Sequence, residues 1–222
     1  MAAADSIWNY ELGAKNIWLD GRLRTTVAAY YIDWGPMQVP LVRSSDATPY
    51  VGTVGKSRSM GLETEVDALI GDHAEGGFNF TLQNAKVTEL TATESLISGA
   101  VVGAKLASPE FKAGAYGKYT WNLADGSDLY ARIDAQYVGD YVNTFPNTAG
   151  AKTPNAAYAR IPSYENINAS LGWAKGNLKA VLYGENLTNN HSPIFIDAAN
   201  YSLNRYGTLR PRTVGVRLGW KY

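Results

Sequence analysis

Residues 212–222 read RTVGVRLGWKY, and their side chains alternate strictly between two kinds. Every second position is apolar, and these residues are Val214, Val216, Leu218, Trp220 and Tyr222. The positions between them are polar or small, and they hold Thr213, Gly215, Arg217, Gly219 and Lys221. Because successive side chains of a β-strand leave opposite faces, the stretch predicts a strand with one apolar and one polar face.

The length and the end of this strand indicate its surroundings. About ten alternating residues suffice to cross a bilayer as a tilted strand. A soluble sandwich also has one apolar face, but it seldom ends on a large aromatic residue with no polar tail. We therefore expect arginine at Val216 or Leu218 to be costly, and glutamine at Gly215 or Arg217 to cost much less.

The same two-face pattern recurs through the chain, so that nine strands are predicted in all. The other eight begin near Trp8, Arg22, Gly61, Phe78, Phe111, Leu129, Asn166 and Leu178. The segment from Leu178 is less regular, because Val181 and Tyr183 fall on its polar side. Strands of this number and pattern predict an all-β protein.

The predicted connections alternate between short and long without exception. The short ones carry turn residues, namely Asp20-Gly21, Gly71-Asp72, Asp125-Gly126 and Gly176-Asn177. The long ones are residues 35–57, 91–110, 142–162 and 187–211. A Greek-key sandwich mixes connection lengths at both ends. Turns at one end and loops at the other are typical of an antiparallel, up-and-down transmembrane β-barrel, with its turns in the periplasm and its loops outside.

Two further features bear on this prediction. The tryptophans near strand ends suit the membrane interface, and they are Trp8, Trp121, Trp173 and Trp220. Nine strands are an odd number, whereas bacterial single-chain barrels have even numbers. We therefore expect about nine strands of a larger barrel. Residues 1–6 do not resemble a signal peptide, so we also expect the chain to continue a longer one.

Composition excludes several functions. The chain has 20 basic and 20 acidic residues among 222, which gives no reason to expect a nucleic-acid partner. It has no cysteine, so disulfides and thiolate metal sites are excluded. Glu63, Glu65 and Asp67 share one face of one strand, where they could form a metal or acid–base site. We instead expect them to face a wet interior and to be balanced by basic residues, namely Lys118, Arg132 and Arg217. We predict no catalytic residue, no cofactor and no enzyme.

Four stretches carry a resemblance to a known family. They are residues 28–34 (AAYYIDW), 61–65 (GLETE), 183–189 (YGENLTN) and 210–216 (RPRTVGV). In this order, with these loop lengths, the chain resembles the C-terminal part of the β-barrel of a TonB-dependent outer-membrane receptor. Residues 1–222 would then be one barrel portion without a plug domain, holding about nine of the ~22 strands of such a transporter.

The resemblance implies a function and its partners. It implies energy-coupled uptake of a siderophore, cobalamin or another bulky nutrient across the outer membrane of a Gram-negative bacterium. The expected partners are outer-membrane lipid and the barrel-assembly machinery, which would recognise the C-terminal strand. TonB would act only through N-terminal parts that these residues lack.

Two other classes stay open. A small autonomous outer-membrane barrel, acting as an adhesin or pore, would need a complete and even set of strands. A secreted, soluble carbohydrate-binding β-protein would need charges on its outward face, and the predicted apolar faces contain none.

Overall fold

The computed structural model describes residues 4–42, 48–197 and 205–221, and most of these residues are in β-strands. The strands, in chain order, are β1 Ile7–Trp18, β2 Leu23–Trp34, β3 Met37–Val42, β4 Pro49–Val54, β5 Lys56–Ile70, β6 Ala74–Glu89, β7 Phe111–Asn122, β8 Asp128–Val138, β9 Tyr141–Val142, β10 Arg160–Ile161, β11 Tyr164–Lys175, β12 Leu178–Glu185, β13 Pro193–Asp197, β14 Arg205–Thr208 and β15 Thr213–Trp220. A short helix, α1, spans Ala92–Ser98. Within these described ranges, no helix has the length and apolar character needed to span a membrane.

Nine strands form one sheet, in the order β1-β2-β5-β6-β7-β8-β11-β12-β15. Each of them pairs antiparallel with the next one in this order. The predicted nine strands and their up-and-down order are confirmed. In the part of the chain that the structure describes, β1 and β15 each pair on one side only, so the sheet is open at both edges.

The connections follow the predicted alternation. The short turns are residues 19–22, 71–73, 123–127 and 176–177, and the long loops are residues 35–55, 90–110, 139–163 and 186–212. All turns therefore lie at one end of the sheet and all loops at the other. The loops contain the remaining strands as small two-stranded hairpins, β3-β4, β9-β10 and β13-β14.

The turn at residues 123–127 shows how local chemistry closes these connections. Gly126 has a φ of 77°, a left-handed conformation that glycine adopts without strain. The Asp125 carboxylate accepts hydrogen bonds from the backbone N–H and hydroxyl of Ser127, at 3.1 and 2.6 Å. Lys175 donates to it from the neighbouring turn, at 2.9 Å. Together, Ser127 and Lys175 hold the pKa of Asp125 far below its usual range.

The terminal strand presents its apolar side chains to the surroundings. The exposed fractions are 67% for Val214, 66% for Val216, 79% for Leu218 and 62% for Trp220. Tyr222 lies outside the described residues. The same outer face continues across the sheet through the cross-strand partners of Val216, which are Leu182, then Leu171, Ala131 and Tyr119.

The buried apolar cluster lies among the loops. Met37 and Val87 are 1% exposed and Ala100 is fully buried, and Trp34 and Phe145 pack against them. A hydrogen bond joins two of the loops beside this cluster. The Asn147 N–H, in the loop 139–163, donates to the Gly99 carbonyl, in the loop 90–110, at 3.1 Å. A soluble sandwich buries the apolar face of its sheet, whereas this sheet leaves that face open and packs its core at the loop end.

The tryptophans lie where the sequence predicts them. Trp8 is near the start of β1, at the loop end of the sheet. Trp121, Trp173 and Trp220 lie within three residues of the ends of β7, β11 and β15, at the turn end. Aromatic rings therefore flank the apolar face at both ends, as an interfacial belt requires.

Candidate functional site

The face opposite the apolar one is polar, and tyrosine–glycine pairs organise it. In four places a tyrosine lies directly opposite a glycine of the next strand, and these pairs are Tyr30–Gly61, Tyr116–Gly77, Tyr130–Gly172 and Tyr183–Gly215. In each pair the tyrosine ring or hydroxyl occupies the space that a Cβ atom on the glycine would need. The glycines therefore let large rings lie flat along this face.

Charged groups bridge these rings. The Tyr116 hydroxyl donates to the Asp67 carboxylate at 2.8 Å, and the Arg132 guanidinium carbon lies 4.3 Å from the centre of the Tyr116 ring. Arg132 also forms a salt bridge with Asp134 at 2.5 Å. These contacts tie β5, β7 and β8 together by polar side chains, as expected for the wall of a wet interior.

The structure shows only part of the predicted balance between the acidic residues of β5 and the basic residues of the same face. Asp67 belongs to this network through Tyr116, but Glu63 and Glu65 are exposed. Lys118 pairs instead with Glu75 at 3.0 Å, a residue whose part in the network was not predicted. Glu75 and Lys118 come together because they are direct partners in the pairing of β6 with β7. Alternation alone does not give that register.

Arg217 also has a different partner from the one expected. Its guanidinium carbon lies 5.3 Å from the centre of the Tyr183 ring, and Tyr183 in turn covers Gly215. Tyr183 and Val181, which broke the predicted pattern of β12, both line the polar face. Val181 is almost fully buried there. Their irregular placement therefore builds the wall of a groove.

That groove lies between β8, β11, β12 and β15 and has a volume of about 570 Å³. Its walls carry polar and charged side chains, including Tyr130, Arg132, Asn168, Lys179 and Arg217. Lys179 and Lys118 both approach the Tyr130 ring, with their Nζ atoms 5.8 and 5.6 Å from its centre.

One polar atom in the groove is unusual. The Asn166 side-chain oxygen is buried and has no hydrogen-bond partner among the described residues. A buried acceptor without a donor is costly, by about 1–3 kcal/mol. The described residues therefore leave one acceptor in the groove lining without a donor.

Asn186 holds the loop-side end of the groove. It is 3% exposed and has a φ of 50°. Its side-chain amide donates to the carbonyls of Asn190 and Arg210, at 2.9 and 2.8 Å, and its side-chain oxygen accepts from the Asn190 N–H at 2.9 Å. The backbone N–H of Asn186 donates to the side-chain oxygen of Asn168 at 2.9 Å. Asn186 thus fixes both ends of the loop 186–212 against β11, a role that the sequence pattern did not reveal.

This arrangement suits noncovalent recognition. Cations, carboxylates, amides and tyrosine hydroxyls line the polar face of the sheet. Among residues 4–42, 48–197 and 205–221, no group of three His, Cys, Asp or Glu side chains is placed to hold a metal ion. The cations are instead used in salt bridges and ring contacts along the wall.

Comparison with known proteins identifies the architecture. A family model described as "TonB dependent receptor-like, beta-barrel" matches residues 5–187. No curated protein sequence gives a significant match.

Several solved structures share the fold. The ferric yersiniabactin uptake receptor FyuA from Yersinia pestis is 20% identical with a TM-score of 0.75, over 100% of this chain and 30% of its own. The ferric-catecholate import receptor Fiu from E. coli K12 is 23% identical with a TM-score of 0.70, over 98% of this chain and 27% of its own. The pyoverdine outer membrane receptor FpvA from Pseudomonas aeruginosa PAO1 is 18% identical with a TM-score of 0.69, over 98% of this chain and 30% of its own. The chain thus spans under a third of their length.

Proposed function

Because this chain belongs to the family of TonB-dependent receptor-like β-barrels, we propose that it is part of an outer-membrane receptor that takes up a siderophore or another bulky nutrient. Members of this family are receptors and transporters of the Gram-negative outer membrane, and they are not enzymes. Uptake of this kind draws its energy through TonB.

The observation that carries the proposal is the two-sided sheet. Its outer face is apolar and exposed, its inner face holds a polar groove of about 570 Å³, and all its long loops lie at one end. A wall of this kind separates lipid from a wet interior. The similar structures named for ferric siderophores favour a ligand of that class over other bulky nutrients.

We further propose how this segment fits the complete receptor. Residues 1–222 would form the C-terminal portion of the β-barrel domain. The plug domain and the TonB contact would lie outside these residues. The open edges of β1 and β15 would pair with the remaining strands of the barrel, and the barrel-assembly machinery would recognise β15. The protein would have no catalytic function.

An uptake assay tests the proposed function. Deletion of the gene in its natural host should abolish energy-dependent uptake of at least one iron-loaded siderophore, measured with radioactive iron. Uptake should also stop when TonB is deleted or when a protonophore removes the proton gradient. Unchanged uptake and growth across a panel of siderophores and cobalamin would contradict the proposal.

A variant of the groove makes the test specific to this chain. Asn166→Ala removes the unpartnered acceptor, so uptake should fall while the amount of protein in the outer membrane stays unchanged. Asn9→Ala removes the same kind of side chain from the inner face of β1, away from the groove, and serves as the matched control. Equal uptake by the two variants would show that the groove takes no part.

A further inference from the structure

A row of basic residues crosses the outer face near the loop end of the sheet. Arg58 on β5 lies directly opposite Lys86 on β6. Lys86 in turn lies opposite Lys105, in the loop segment that extends the sheet beyond β6. The Arg58 guanidinium carbon lies 5.9 Å from the centre of the Tyr31 ring, and Tyr31 is on the outer face. The three cations therefore lie side by side, at the same level along the strands, on the outer face of the sheet.

This placement is electrostatically unfavourable without a counter-charge. Like charges directly opposite each other on neighbouring strands destabilise a sheet. Lys105 is partly neutralised by Glu110, at 2.9 Å. Asp33 lies opposite Arg58 in register. Within the described residues, however, neither Arg58 nor Lys86 forms a salt bridge, so two adjacent cations have no bound anion.

An apolar furrow runs along the same face, closer to its middle. Its volume is about 510 Å³, and its floor is made of small side chains, Ala113, Ala115 and Ala135. Its walls are formed by larger side chains, namely Phe78, Phe80, Leu82, Phe111, Tyr137 and Ile167, and Glu165 lines its loop-side end. Leu82 and Phe78 are on the same strand as Lys86. At ~3.3 Å per residue, they lie roughly 13 and 26 Å from it along β6.

We propose that Arg58 and Lys86 bind the phosphate headgroup of an anionic lipid in the leaflet at the loop end, and that an acyl chain of this lipid lies in the furrow. Arginine and lysine both bind phosphate oxygens by charge-assisted hydrogen bonds. A free phosphate would satisfy the cations but would leave the furrow without an occupant, whereas a lipid supplies the anion and the hydrocarbon in one molecule. The inference rests on the membrane placement in the proposed function.

The test measures lipid binding to the intact protein as the cell makes it, purified in dodecyl maltoside. Native mass spectrometry follows titration with dioleoyl phosphatidic acid or dioleoyl phosphatidylcholine. Phosphatidic acid should bind more tightly than phosphatidylcholine. Each cation near an anionic lipid surface strengthens binding about fivefold. Removing both charges in Arg58→Gln/Lys86→Gln should therefore weaken the binding of phosphatidic acid roughly 30-fold. Charge-conserving Arg58→Lys/Lys86→Arg should retain binding.

The matched control removes two charges from elsewhere in the sheet. Lys15→Gln/Arg24→Gln makes the same change in net charge near the turn end of β1 and β2, so it should leave the lipid preference unchanged. Millimolar inorganic phosphate should compete only weakly with phosphatidic acid. Complete displacement by phosphate would show a site for a free anion and would overturn the lipid assignment.

Two outcomes separate this inference from the proposed function. Equal binding of the two lipids, or unchanged binding by Arg58→Gln/Lys86→Gln, would overturn the lipid site even if the protein sits in the outer membrane and takes up its ligand. Absence of the protein from the outer membrane would instead overturn the proposed function. Resistance of the folded barrel to unfolding in detergent before heating confirms that each variant is folded.

Discussion

Val216→Arg tests directly whether the apolar face meets lipid. Val216 lies near the middle of β15, is 66% exposed, and faces outward beside its cross-strand partner Leu182. An arginine on the lipid face near the bilayer midplane costs about 2–4 kcal/mol. In aqueous surroundings the same substitution on an exposed strand position would cost little.

Arg217→Gln is the matched comparison on the opposite face. It removes the contact of the guanidinium with the Tyr183 ring, and an exposed cation–π contact contributes about 0.5–1 kcal/mol. Gly215 does not serve this purpose, although the sequence suggested that it would. A Cβ atom at Gly215 would lie 2.5 Å from the Tyr183 hydroxyl oxygen, so glutamine there must displace the ring.

The assay is unfolding by guanidinium of the intact protein reconstituted in phospholipid vesicles, followed by tryptophan fluorescence. Val216→Arg should lower the free energy of unfolding several times more than Arg217→Gln does. Equal losses for the two variants, or a larger loss for Arg217→Gln, would refute the assignment of the faces.

Three further predictions address the wall, the loops and the edges. Gly172→Ala should cost about 1–3 kcal/mol because the Tyr130 ring must move, whereas Gly117→Ala meets nothing within 4 Å and should be neutral or stabilising in the same unfolding assay. The backbone N–H groups of Thr91 and Gly55 donate hydrogen bonds to the Glu94 carboxylate and lower its pKa below the ordinary 4.5. These hydrogen bonds therefore stabilise the loop fully above pH 4.5, and they are lost as the pH falls through the lowered pKa. Protease should therefore cut the loop 90–110 faster in acid, and Glu94→Gln should remove that dependence. Residues 1–222 expressed alone should aggregate through their open edges, which a monodisperse, membrane-inserted monomer would contradict.

Alternation made the sheet predictable from the sequence. A period of two residues assigns each side chain to a face, and one apolar face per strand excludes a register shifted by one residue, because that shift would turn the apolar side chains to the polar face. Val214, Val216 and Leu218 therefore share one exposed face of β15. Glycine and aspartate in the turns fixed the short connections, so the order of the nine strands followed.

The contacts across the inner face could not be predicted in the same way. Tyr130 covers Gly172 and Lys118 meets Glu75 only because the strands pair in one particular register. These partners lie more than 40 residues apart, and single-strand patterns carry no information about them. The Arg58–Lys86 row was missed for the same reason, because each residue alone looks like an ordinary strand-end cation.

The buried apolar cluster at the loop end could not be predicted from the sequence either. Met37, Val87 and Ala100 come from three different parts of the chain and have no shared period. Met37 and Ala100 lie in the predicted loops 35–57 and 91–110, whereas Val87 lies near the end of β6. Their burial depends on how the hairpin β3-β4 and α1 pack over the end of the sheet, which is a property of the folded protein.

Single-cysteine labelling gives the most direct measurement of the two-faced wall. Residues 1–222 contain no cysteine, so a single cysteine introduced here into the intact protein, with any cysteine outside these residues replaced by serine, identifies one position. Six variants would each carry one cysteine on β15, and a fluorophore would be attached to that cysteine. The replaced residues come from both faces, and they are Thr213, Val214, Val216, Arg217, Leu218 and Gly219. In vesicles containing nitroxide-labelled lipid, quenching should be strong at Val214, Val216 and Leu218 and weak at the other three positions. Uniform quenching, or the reverse alternation, would contradict a sheet that separates lipid from a polar interior.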